Sequence, residues 1–179
     1  MSHSPGSERS DPSDPTSSAD LSGEPVVVYY SRTGTTERVA SAVADALGPA
    51  RVESIRPRTE RPYWNWLLRS FVPGSTVPIA PVPTDLRNAS AVFLGSPKWT
   101  LSCPPVTEFL DEARLDGVPT GVFLTYGGFD EKRYADALVD RVEDCGADVR
   151  ATLLVERDSV DGSEYRAEVD EFCQAVLDA

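Results

Sequence analysis

The chain reads as an α/β domain built on a parallel sheet with helices on both faces. Three observations lead there. Short apolar runs rich in Val, Phe and Leu recur along it, as strands buried on both faces require. Amphipathic stretches at helical spacing alternate with those runs, which is the order that parallel crossovers need. Gly and Pro punctuate the joins. A length of 179 residues is about one domain, and an apolar share of 40% suffices for a core without disulfides or metal.

Residues 1–24 are mainly Ser, Pro, Asp and Gly and offer little to bury. They carry Glu8, Asp11, Asp14, Asp20 and Glu24 against Arg9 alone. Such a segment cannot offset its ordering entropy, so a disordered acidic tail is expected, with the folded domain spanning 25–179. Val26 to Tyr30 is β-branched and aromatic, a buried first strand. Val39, Ala42, Val43, Ala46 and Leu47 then repeat at helical spacing, and Gly48 can close that helix. Arg51–Ile55 is a weaker second strand, Ala91–Gly95 the third, Gly121–Thr125 the fourth and Val149–Val155 the fifth. Val106, Phe109, Leu110 and Ala113 form one helical stripe between them. Tyr134, Leu138, Val142 and Cys145 form another, and Tyr165, Val169, Phe172, Cys173 and Val176 the last. The long connection after the second strand holds Tyr63, Trp64, Trp66 and Phe71, then Pro73, Pro78, Pro81 and Pro83. It predicts a short helix near 62–71 and an extended, proline-stiffened run.

Composition removes several chemistries. The one histidine is His3, in the tail, so a Ser-His-Asp or Cys-His catalyst has no base and a zinc site no imidazole. Cys103, Cys145 and Cys173 are odd in number and widely spaced, which suits free thiols in a reducing compartment. Cys103 precedes Pro104 and Pro105 at a helix start and is read as a packed thiol rather than a redox group. No apolar run approaches a membrane span, and no basic-then-apolar leader opens the chain, so a cytoplasmic protein is expected. The net charge of −12 argues against nucleic acid as partner. Of 17 basic residues only Lys98 and Lys132 are lysine, a bias that fits a salt-adapted source.

In an open parallel sheet the ligand sits beyond the strand C-termini, where strand order reverses. After the first strand comes Ser31-Arg32-Thr33-Gly34-Thr35-Thr36, then a helix. Four hydroxyls around a Gly at a helix N-terminus exceed what capping needs and suit a phosphate. Neither G-x-G-x-x-G nor the lysine-bearing phosphate loop occurs here, so a single phosphate held without lysine is expected.

The run VVVYYSRTGTTERVASAVADAL resembles the opening of flavodoxins, whose hydroxyl-rich loop holds the FMN phosphate. GSPKWT, Gly95 to Thr100, resembles the flavodoxin loop at the flavin ring, and TYGGF, Thr125 to Phe129, lies where the second ring loop belongs. The resemblance covers about residues 25–179. It implies a flavodoxin-like three-layer sandwich with a five-stranded parallel sheet in order 2-1-3-4-5. It implies FMN as cofactor, the phosphate on Ser31, Arg32, Thr33, Gly34, Thr35 and Thr36. Ser96, Pro97, Lys98, Trp99 and Thr100 would meet one side of the ring, and Tyr126, Gly127, Gly128 and Phe129 the other. The implied function is electron transfer with a partner protein, or flavin-dependent reduction or oxidation of a quinone-like substrate. Flavodoxin-type protoporphyrinogen oxidases and pure one-electron carriers are the alternatives. Thr100 departs from electron-carrying flavodoxins, which usually have a Gly whose peptide turns on reduction. Leu101 replaces the acidic residue expected next, and the 62–83 segment is longer and more aromatic than a plain crossover.

Overall fold

The computed structural model describes residues 23–59, 68–162 and 164–178. The elements run β1 (Pro25–Tyr29), α1 (Thr35–Leu47), β2 (Arg51–Ser54), β3 (Ala91–Pro97), α2 (Pro104–Glu112), β4 (Pro119–Tyr126), α3 (Glu131–Asp144), β5 (Asp148–Glu156) and α4 (Tyr165–Leu177), with a 3-10 turn at Arg157–Asp161 before the last helix. All five strands are parallel, in the order β2-β1-β3-β4-β5. This is the flavodoxin-like sandwich that the sequence predicts.

Strand alternation sorts the core into two layers. Val26, Val28, Val92, Leu94, Val122 and Leu124 face α2 and α3, meeting Phe109, Leu138 and Val142. Val27, Tyr29, Phe93 and Phe123 face α1 and α4, meeting Val39, Val43, Val169 and Phe172. The second layer is tight around its aromatic rings. Phe172 meets Phe93 edge-on at 5.6 Å and Phe123 at 6.5 Å.

Strand limits differ from the sequence reading. β3 continues two residues past Gly95 because Ser96 and Pro97 keep their ladder partners Leu124 and Thr125. β4 begins at Pro119 and β5 at Asp148 for the same reason, paired with each other. Backbone pairing does not need apolar side chains, so apolarity understates the length. β2 stops at Ser54, with Val52 half-exposed at the sheet edge. Gly23 and Glu24, at the end of the expected tail, are tied to the Asn88–Ser90 turn through Gly23 N–H to Asn88 O and Ser90 N–H to Glu24 O. The rest of that tail lies outside the described residues, as does most of the helix expected near 62–71, of which 68–70 is helical. A turn at 71–74 follows, and beyond it Ile79 bridges antiparallel to Pro57.

Burial raises several proton affinities. It pushes Cys103 up to about 12, Tyr30 up to about 12 and Cys173 up to about 11. In the unfolded chain these thiols ionise near 8.5 and the phenol near 10. Above those values the unfolded state binds fewer protons than the folded one, so stability falls as pH rises toward 12 and is complete below about 8.5. The urea midpoint should therefore hold from pH 7 to 8.5 and decline by pH 10.5. A flat profile across that range would contradict the buried-thiol account.

Candidate functional site

Order reverses between β1 and β3, whose connections leave in opposite directions, and a crevice opens there beyond the strand ends. It is a cleft of about 550 Å³. Its walls come from the turn after β1, the insert before β3, the loop after β3, the end of β4, the first turns of α3 and the turn after β5.

The turn after β1 brings Arg32, Thr33, Thr35 and Thr36 to the cleft. Gly34 adopts φ 87°, the left-handed region that lets the chain turn into α1. Its N–H donates to Ser31 Oγ at 3.1 Å, which closes the turn. No side chain caps α1, so its first amides remain for a ligand or water. The Thr33 and Thr35 hydroxyls lie 3.4 Å apart on the open side. Thr36 differs: its hydroxyl is buried and shares a 2.7 Å hydrogen bond with Thr125 of β4. That bond anchors the turn and leaves Thr36 a secondary role toward any anion.

The loop after β3 supplies Pro97, Lys98, Trp99, Thr100 and Leu101. Lys98 N–H donates to Thr125 O at 2.7 Å, which holds the loop over β4. Trp99 tilts at 52° to the Tyr30 ring, centroids 6.5 Å apart. The Thr100 hydroxyl is 2.5 Å from Ser70 Oγ, while Ser70 O accepts the amides of Leu101 and Ser102 at 2.9 and 3.2 Å. Ser70 is fully buried. The insert between β2 and β3 thus grips this loop mainly through one residue, Ser70.

Ser96 is buried and does not line the cleft. Its hydroxyl donates to Pro97 O at 3.1 Å and lies against the Tyr134 phenol and the Cys103 thiol. Burial also holds the Tyr134 phenol protonated far above its ordinary range. Tyr126, Gly127, Gly128 and Phe129 are not gathered into the cleft wall, and Phe129 is 94% exposed. In their stead stand Thr125, Asp130, Arg133, Tyr134 and Ala137 from the end of β4 and the start of α3. Arg157 follows β5, its guanidinium packed over Gly127, where a Cβ would come within 3.1 Å. The sequence argument passed these over, although Arg157 stands where the strand-end rule points. Asp130 enters α3 at φ 65° and faces Arg133 at 3.9 Å.

Cations dominate the cleft of an acidic chain. Among the described residues Arg32, Lys98, Arg133 and Arg157 line it, against Asp130 as the one carboxylate. Among the described residues no group of His, Cys, Asp or Glu could hold a metal ion.

No family model matches the sequence. An uncharacterized protein of Archaeoglobus fulgidus is 38% identical over 131 residues, covering 72% of this chain and 83% of that one. Among solved structures, a flavoprotein of Lactobacillus acidophilus in complex with FMN matches at TM-score 0.61 and 16% identity, over 84% of this chain and 99% of that one. The oxidised flavodoxin 2 of Bacillus cereus matches at 0.62 and 17%, over 87% and 99%. The two-electron reduced flavodoxin of Megasphaera elsdenii matches at 0.54 and 26%, over 87% and 99%.

Proposed function

We propose that the chain, a member of the flavodoxin-like family by its fold, is an FMN-binding redox protein acting on a small quinone-like substrate. One observation carries the reading. A hydroxyl-rich turn at an uncapped helix N-terminus forms one wall of a 550 Å³ cleft at the strand-order reversal. The volume lies within the range of about 300–1,000 Å³ typical of small-molecule sites.

The residues present fit the group. Thr33 and Thr35 offer hydroxyls and α1 offers amides and a dipole for the phosphate, with Arg32 adding charge. Pro97 and Trp99 offer apolar surface for the ring, and Lys98 a positive charge beside it. FMN, when bound, supplies the electron and hydride chemistry. The protein's share is to hold it, to exclude water on the Trp99 side and to fix the polar groups around its rim.

Ser70 supports substrate chemistry over a pure one-electron carrier. The Thr100–Leu101 peptide is restrained because its N–H is committed to Ser70 O at 2.9 Å. Turning it breaks that bond and pushes a β-branched residue into strained backbone, at about 1–3 kcal/mol. A loop held against turning on reduction favours two-electron exchange.

The test is purification and titration. The protein should carry a yellow flavin absorbance, and the flavin-free chain should bind FMN at least tenfold tighter than riboflavin, which lacks the phosphate. Equal affinity would remove the phosphate assignment, and no flavin binding would remove the reading.

The surplus of acidic residues is read as adaptation to salt. Asp136, Asp140 and Asp144 lie along α3, and the described ion pairs are mostly solvent-exposed. Screening of like charges should raise stability as KCl goes from low to molar concentration. A melting temperature independent of salt would favour a basic docking partner instead. Buried Cys103 and Cys173, unpaired, suit a reducing cytoplasm. No helix among the described residues is long and apolar enough to cross a membrane.

A further inference from the structure

The cleft continues behind the loop that follows β3. A second pocket of about 270 Å³ shares Pro73, Leu101, Tyr134 and Ala137 with it. Its interior is formed by Cys103, Val106, Leu110 and Leu138, an apolar surface continuous with the core. At its far side Arg141 is matched by Asp111 at 2.6 Å, so that end carries no unbalanced charge.

The mouth is different. Lys98 stands three residues before Leu101 on the same loop and makes no ion pair among the described residues. Arg133 stands one turn before Ala137 on the same face of α3. Its carboxylate neighbour, Asp130, is 3.9 Å away, and both side chains are largely exposed, a geometry that neutralises little. Lys98 and Arg133 both line the larger cleft, which joins the apolar pocket at the shared wall, and in a chain of net charge −12 such positive charge is a local selection for negative ligands.

We infer that the second pocket binds the substrate, and that the substrate is an organic anion with an apolar, aromatic body. The body enters between Val106, Leu110 and Leu138, and its carboxylate remains at the mouth with Lys98 and Arg133. The inference rests on the reading of the larger cleft as the flavin site, since the shared wall brings the two ligands into contact. Leu101 and Pro73, both exposed, supply the apolar lip over which the ligand passes.

The experiment is calorimetric titration of the FMN-loaded full chain with 2-naphthoate and with its neutral analogue 2-naphthamide, at one fixed salt concentration. Naphthoate should bind at least tenfold tighter than the amide. The double variant Lys98→Gln, Arg133→Gln should bring the two affinities together while leaving the amide unchanged. Ala137→Phe, at an exposed helical position on the shared wall, should weaken both ligands tenfold or more. Thr107→Leu, which fills the second pocket alone, should do the same with flavin content unaltered. Equal affinities in the parent protein, a preference surviving the double variant, or unchanged binding in both filling variants would overturn the inference. The flavin absorbance of each sample separates the cases. A protein that holds FMN and fails these titrations loses the second-pocket assignment alone, whereas one that takes up no FMN loses both assignments.

Discussion

Gly95→Ala is expected to destabilise the protein by about 3 kcal/mol, the upper end for inserting one methyl group into a packed core. A Cβ at Gly95 would lie 2.2 and 2.3 Å from two ring carbons of Phe123, its direct partner across the β3–β4 ladder. No real Cβ contact is that short, so the ring or the strand must move by more than an ångström. Phe123 is fully buried and meets Phe172 edge-on, and Phe172 in turn meets Phe93. Displacing one ring disturbs the set. At roughly 2–4 °C per kcal/mol for a domain of this size, the melting temperature should fall by roughly 6–12 °C. Gly34→Ala provides the contrast. Nothing lies within 4 Å of its Cβ, but φ is +87°, so the cost is backbone strain of about 1–2 kcal/mol. A small effect of Gly95→Ala would mean that Phe123 has room to swing aside, against the tight packing described above.

The double variant Thr33→Ala, Thr35→Ala should lose about 3 kcal/mol of FMN affinity, roughly a hundredfold, and little riboflavin affinity. Hydrogen bonds to a charged group contribute about 1.5–3 kcal/mol each, and here both donors sit on the open side of the turn. Their removal leaves the α1 amides and Arg32, so binding is weakened rather than abolished. Thr36→Ala should behave differently, because its hydroxyl is bonded to Thr125 inside the fold. That variant should lower stability and affect both flavins alike. Equal loss of FMN and riboflavin in the Thr33, Thr35 variant would move the phosphate elsewhere in the cleft.

The strands and the hydroxyl-rich turn after β1 were legible because both are local, while the strand order came with the flavodoxin resemblance. Val26 to Tyr30 announces a strand buried on both faces, and Gly34 among four hydroxyls announces the turn that leaves it. The opposite wall was not legible. Tyr134 reads as part of the apolar stripe of α3, and only the packing shows that it also borders the cleft. Arg133 and Ala137 look like ordinary solvent-facing helix positions until α3 is set beside the loop after β3. Tyr126 to Phe129 are assigned to the ring by motif position alone; in the structure the Arg157 guanidinium lies against Gly127 and Phe129 is exposed. Ser70 is beyond any local pattern. Its partners lie 30 residues on, and nothing in a serine inside a long crossover distinguishes it.

The grip of Ser70 on the loop after β3 makes the crossover and the cleft thermodynamically inseparable. Three hydrogen bonds converge on that one residue, and Ser102 adds a fourth by donating to Val72 O at 3.2 Å. If a cleft ligand tightens the loop, it must tighten residues 70–72 by the same free energy, and reciprocity runs the other way with equal size. Leu68, Phe71 and Val72 are exposed apolar side chains on that stretch. A body that settles on them would therefore set the affinity of the cleft without touching its contents, so the crossover serves as a handle on the site.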